Sequence, residues 1–137
     1  MRTNISALLA LLPLFALLLS VKPAAAQVTP GTLPAGVTQK MIDDGAGIFK
    51  GAGLCFACHG QDAKGMPSLG ADLTDSEWIH IDGSFEKIVE TITNGTTSAA
   101  GVAMPPKGGS AISDADVKAV AAYVWSLSHP TVEGSGR

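Results

Sequence analysis

Arginine is almost absent from this sequence of 137 residues: Arg2 stands near its start, Arg137 ends it, and none lies between. No interior arginine is therefore available to pair with a buried anionic group. Cysteine is equally scarce, with Cys55 and Cys58 the only two. They cannot alone make a tetrahedral structural zinc site, which needs a second Cys/His pair, and His80 and His129 stand apart. Aromatic residues make up 5%, thin for a self-sufficient core. No stretch alternates apolar and polar residues as a half-buried strand would. That excludes the βαβ setting of a thioredoxin-like dithiol and points to an all-α chain.

What is present is concentrated in Cys55-Phe56-Ala57-Cys58-His59. Two thiols spaced by two residues, with an imidazole directly after the second, form the signature for covalent haem attachment. The thiols can add across the two vinyl groups on one haem edge. His59, on the same turn, then lies under the ring and can bind iron from one face. The expected cofactor is one haem c per chain.

Residues 1–26 read as a secretory signal peptide: Met1-Arg2 gives a positive start, Ile5 to Val21 is an apolar run, and Ala24-Ala25-Ala26 offers small residues for cleavage before Gln27. An uncleaved membrane anchor is the alternative, since the run approaches the ~20 residues that span a bilayer. Export suits the motif, because haem is joined to C-x-x-C-H outside the bacterial inner membrane, so a periplasmic location is expected. Residues 27–137 keep seven Lys and Arg against twelve Asp and Glu, a net charge of −5. That balance excludes a generic nucleic-acid binder. A chain of this size makes one domain with a modest core, to which a buried haem would add apolar mass.

Along the exported part, 27–37 reads as an arm, with Thr29-Pro30-Gly31 and Pro34 and no apolar period. A helix is expected from Thr38 to about Gly51, with Met41, Ile42, Gly45, Ile48 and Phe49 on one stripe. Residues 60–73 form a loop by composition. Thr74-Asp75-Ser76-Glu77 has the spacing of a capping box and predicts a short helix containing Trp78 and Ile79. Ser84 can cap the next helix, carrying Phe85, Ile88, Val89 and Ile92 and stopped by Asn94-Gly95. Residues 96–109 read as a long loop holding Met104-Pro105-Pro106. A last helix runs from Ser113 to about Ser128, with Val117, Val120, Val124 and Leu127 beside Tyr123, and Pro130 ends it. The domain is expected over 38–130, with 131–137 a flexible tail.

Together these residues resemble a class I cytochrome c of the short bacterial monohaem type, over roughly Thr38 to Ser128. The resemblance rests on the Gly45/Phe49 helix, Cys55-Phe56-Ala57-Cys58-His59-Gly60, Leu73-Thr74-Asp75 followed by Trp78, Met104-Pro105-Pro106 and the Tyr123-Val124 helix. From Leu73 onward it is similar to the haem domains of oxidase-associated cytochrome c subunits. It implies a class I cytochrome c fold, short helices wrapped round one covalent haem, in which the first and last helices cross so that Gly45 and Phe49 meet Val120, Tyr123 and Val124. The family places a proline after the motif, whose carbonyl holds the axial histidine. Here either Pro67 serves in a shorter loop, the preferred reading, or a backbone carbonyl near Ala71 does.

The sixth iron ligand must come from a distant segment, and Met104 is the best candidate. It lies 45 residues beyond His59, and Pro105 holds it in extended backbone. Met66, Met41, His80 and His129 are the rivals. A neutral thioether favours Fe(II) and raises the potential relative to a second imidazole. Trp78, His80, Lys107 and backbone amides are the available donors to the haem propionates. Trp125 is expected to pack only. The function expected is a periplasmic carrier of single electrons between redox partners such as membrane complexes, an oxidase or a periplasmic dehydrogenase. It would be a monomer, not itself an enzyme, with no membrane span after cleavage. The alternative is a dedicated cytochrome subunit or electron acceptor of one periplasmic dehydrogenase or reductase.

Overall fold

The computed structural model describes residues 32–97 and 102–129; the expectations for 1–26, the start of the arm, Pro130 and 131–137 lie outside the described residues. Four helices follow in order: α1 (Gln39–Lys50), α2 (Phe56–His59), α3 (Phe85–Asn94) and α4 (Asp114–Ser128). Between α3 and α4 come two-residue strands, β1 (Thr96–Thr97) and β2 (Ala103–Met104), and a 3-10 turn at Pro106–Gly109. Sequence reading gave this stretch no strand. The antiparallel ladder, Thr96 opposite Met104 and Thr97 opposite Ala103, is too short for any period to register.

The long helices start where their caps dictate. The Thr38 hydroxyl accepts from the Met41 amide at 3.3 Å, and α1 then carries Lys40–Asp44 and Gln39–Asp43 contacts on its exposed face. Ser113 and Asp116 form a reciprocal capping box at α4, each side chain accepting from the other's backbone amide. The Ser113 hydroxyl and amide hold the Asp116 carboxyl below the usual carboxylate range. The cap therefore contributes above the ordinary carboxylate pKa and is lost as pH falls through the lowered one.

Residues 74–79 are not helical. Asp72 Oδ1 accepts from both the amide and the hydroxyl of Thr74, each at 2.7 Å, and Asp75 Oδ1 accepts from the Glu77 amide at 2.9 Å. Aspartates that satisfy amides two residues on compete with a helical turn, and here they win. Asp82 repeats the device on Ser84. Ser84 does occupy the N-cap of α3, but its hydroxyl bonds to Asp82 rather than to the helix. The arm is also less detached than expected, because Val37 is buried and Leu33 packs on the core.

Helices α1 and α4 meet along Gly45. A Cβ there would collide with the Ala119 carbonyl and stand 3.0 Å from Tyr123 Cβ. One turn on, Phe49 is fully buried and meets the Tyr123 ring edge-on, centroids 5.4 Å apart at 66°. Val117, Val120, Val124 and Trp125 from α4 join Phe49, Ile88 and Ile92 in one cluster. Val120 and Tyr123 thus stand at the α1–α4 contact as expected, and Trp125 is buried packing.

Gly45→Ala should lower stability by about 1–3 kcal/mol through overpacking. Gly47→Ala, on the open face of α1 with nothing within 4 Å, should raise it by about 0.5–1 kcal/mol. Denaturant unfolding of the two holoproteins measures both, and opposite signs are the expected outcome.

Candidate haem site

The inner faces of α1, α3 and α4 leave a cavity of about 360 Å³ floored by Phe49, Ile88, Ile92, Val120 and Val124. The C-x-x-C-H segment enters this lining as Cys55, Cys58 and His59. Both thiols are free and partly buried. Burial pushes the Cys55 thiol up, the neighbouring Cys58 adding in the same direction against a backbone hydrogen bond. Leu54, Met66, Leu69 and Ile79 are the large apolar side chains left exposed among the described residues. All four line this cavity.

His59 is held by its loop rather than by a side chain. Its Nδ1 lies 2.9 Å from the Ala71 carbonyl. A carbonyl only accepts, so Nδ1 is the donor here, and in the neutral imidazole that leaves the lone pair on Nε2. The loop reaches the ring because residue 70 is glycine: a Cβ there would collide with the Cys58 carbonyl and come within 3.2 Å of Nδ1. The preference for Pro67 is thus corrected to Ala71. A backbone carbonyl carries no residue signature, and the usable signal was the small residue at 70 beside a ring that must be oriented.

Met104 lines the same cavity from β2, on a segment distant in sequence from His59. Of the rival ligands, Met66 and His80 also line it, whereas Met41 and His129 do not. His129 instead stacks on Trp125 at 4.4 Å and 6°, its Nδ1 3.0 Å from the Trp125 carbonyl. Trp78 is half-buried in the lining and His80 is exposed at its edge. Lys107 is not free to reach an anionic group as expected, because its ammonium bonds the Ile112 carbonyl at 3.0 Å and Asp114 at 2.8 Å. Among the described residues no group of three or more His, Cys, Asp or Glu could hold a metal ion.

The donor set therefore fits a haem: two thiols on one rim, an oriented imidazole with a free nitrogen, a thioether from another segment, and an apolar floor. Residues 40–124 match the family described as cytochrome C oxidase, cbb3-type, subunit III. The chain belongs to that family. It is a class I c-type cytochrome of the oxidase-associated kind and binds covalently attached haem c. Curated relatives include the cbb3-type oxidase subunit CcoP of Rubrivivax gelatinosus, 44% identical over 77 residues, 56% of this chain and 23% of that protein. Subunit FixP of Bradyrhizobium sp. (strain ORS 278) is 46% identical over 92 residues, 66% of this chain and 29% of its own length. The chain thus spans about a quarter of the relatives it matches. The fold is also that of cytochrome cL from Methylophaga aminisulfidivorans, with a TM-score of 0.53 at 24% identity over 67% of this chain and 56% of that one.

For this subunit III relative, Pro67→Ala should leave haem content and visible spectrum unchanged. Gly70→Val should disturb both, since the Ala71 carbonyl can no longer reach Nδ1, and loss of such outer contacts costs metal sites about 10–100-fold. Haem quantitation on the two purified variants reads the difference.

Proposed function

We propose that this domain is a one-electron relay serving a membrane oxidoreductase complex of the cbb3-oxidase kind, on the periplasmic side of the membrane. Cys55 and Cys58 would anchor the haem through thioethers, His59 Nε2 and Met104 Sδ would hold its iron, and Trp78 and His80, in the same lining, would be the side chains available to its propionates. The observation that carries the reading is the shared cavity. An imidazole oriented by Ala71 and a thioether from a separate segment both line it, beside the only two thiols. The signal-peptide pattern of 1–26 supports export. The CcoP and FixP relatives favour a role inside a complex over that of a free carrier between several partners.

Bound haem supplies a reversible Fe(III)/Fe(II) couple. The chain's residues decide what that couple can be used for. The contact between Nδ1 and the Ala71 carbonyl orients the ring, so that His59 would present Nε2 to the haem. Met104, which lines the cavity from a separate segment, would supply the second protein ligand and so exclude oxygen and peroxide. Its neutral sulfur, together with Phe49, Ile88, Ile92, Val120 and Val124, disfavours the more charged oxidised state and raises the potential. Two protein ligands to the iron and an apolar floor would suit electron transfer rather than oxygen chemistry.

Ferric parent protein should show the weak far-red sulfur-to-iron charge-transfer band. Met104→His should remain six-coordinate at a lower potential, whereas Met104→Ala should lose the band and admit carbon monoxide in the ferrous form. Met66→Leu should do neither. Loss of the band in Met66→Leu with its retention in Met104→Ala would overturn the ligand assignment. Stable co-purification with one membrane complex from native cells is the result expected for the subunit role. Isolation free of any complex, with equal rates toward several partners, would restore the free-carrier reading.

A further inference from the structure

Met104 is presented by a short strap, Val102–Pro105, and the place of that strap is set from the end of α3. We propose that Gly95 is a positioning residue for Met104, a backbone point against which the ligand strap is seated; this rests on the reading of Met104 as a haem ligand. Gly95 ends α3 with φ +73°, its amide still bonded to the Thr91 carbonyl at 2.8 Å. A Cβ at this position would collide with the Met104 carbonyl and stand 2.9 Å from both the Pro105 carbonyl carbon and the Pro106 nitrogen. These are backbone atoms of three successive residues, so no change of rotamer relieves the contact.

The strap cannot yield locally either. Thr96, the next residue after Gly95, is paired with Met104 in the β1–β2 ladder. Pro105 and Pro106 have ring-fixed φ angles. Beyond them Lys107 and Gly108 both take left-handed angles of +54° and +64°, and the Lys107 ammonium is bonded to Ile112 and Asp114 at the start of α4. A side chain at 95 therefore moves the strap as a unit away from α3. Because Ile88 and Ile92 of α3 floor the cavity, that motion draws Met104 out of it. Only glycine supplies both the left-handed helix end and the bare surface.

The test separates strap displacement from left-handed strain. Gly109 has φ +78° on the far side of the same strap, yet a Cβ there meets only Pro105 Cγ at an ordinary 3.6 Å. Gly109→Ala thus carries the strain without the collision. Gly95→Ala and Gly95→Asn both carry the collision and, at φ +73° and ψ 178°, comparable backbone strain; should the alanine variant fail to fold, the test is read on the asparagine variant. Ferric holoproteins are compared by the sulfur-to-iron band and by titration with imidazole, alongside Met104→Ala. Both Gly95 variants should lose most of the band and bind imidazole at least about tenfold more tightly than the parent, since affinity follows the fraction with an open site. Gly109→Ala should keep the parent band and affinity despite lower thermal stability. Parent-like band and affinity in the Gly95 variants, with Met104→Ala losing the band, would overturn the positioning role alone. A band that survives in Met104→Ala would instead remove the ligand assignment, and the proposal with it.

Discussion

The approach of α1 to α4 at Gly45 is the contact on which the rest of the molecule depends. It needs a residue with no side chain, because the Ala119 carbonyl occupies the space a Cβ would take. Once it is made, Phe49, Val120 and Val124 face the same way and become a floor, which α3 extends with Ile88 and Ile92. The floor is apolar and rigid. The short segments between the long helices, α2 with its motif and the Met104 strap, then line the cavity above it, the usual division between scaffold and site.

Those loops are positioned by backbone more than by side chains. Ala71 orients His59 through its carbonyl, Gly70 admits that carbonyl, and the strap carrying Met104 lies against bare glycine at 95. Aspartates 72, 75 and 82 fix the intervening turns by accepting from amides two residues on. Their carboxylates are exposed, so these turns hold geometry rather than add much stability. A site made this way spends few residue types, which accounts for how much of it is invisible to a reading by residue type.

What the sequence disclosed had a side-chain signature. Cys55, Cys58 and His59 are recognisable by spacing, and the helices α1, α3 and α4 by the period of their apolar residues. What it hid had none. Ala71 acts through its carbonyl, and two-residue strands have no period. The false helix at 74–79 is instructive, because the same capping spacing succeeds at Ser113–Asp116 and fails at Thr74–Glu77. The difference lies upstream: Asp72 captures the Thr74 hydroxyl that would have capped the turn.

On the proposed function, haem would complete the core between this floor and the two segments above it, so that protein and cofactor fold as one unit. With three Phe, two Trp and one Tyr beyond residue 26, the chain alone has little to set against an ordering cost of about 1–2 kcal/mol per backbone residue. The most direct measurement is denaturant unfolding, followed by near-ultraviolet circular dichroism, of a haem-free Cys55→Ala/Cys58→Ala protein beside the holoprotein. A cooperative transition in the holoprotein and none in the double variant is the predicted result. A haem-free protein that unfolds cooperatively, with the Trp125 and Tyr123 signals of a packed core, would contradict it.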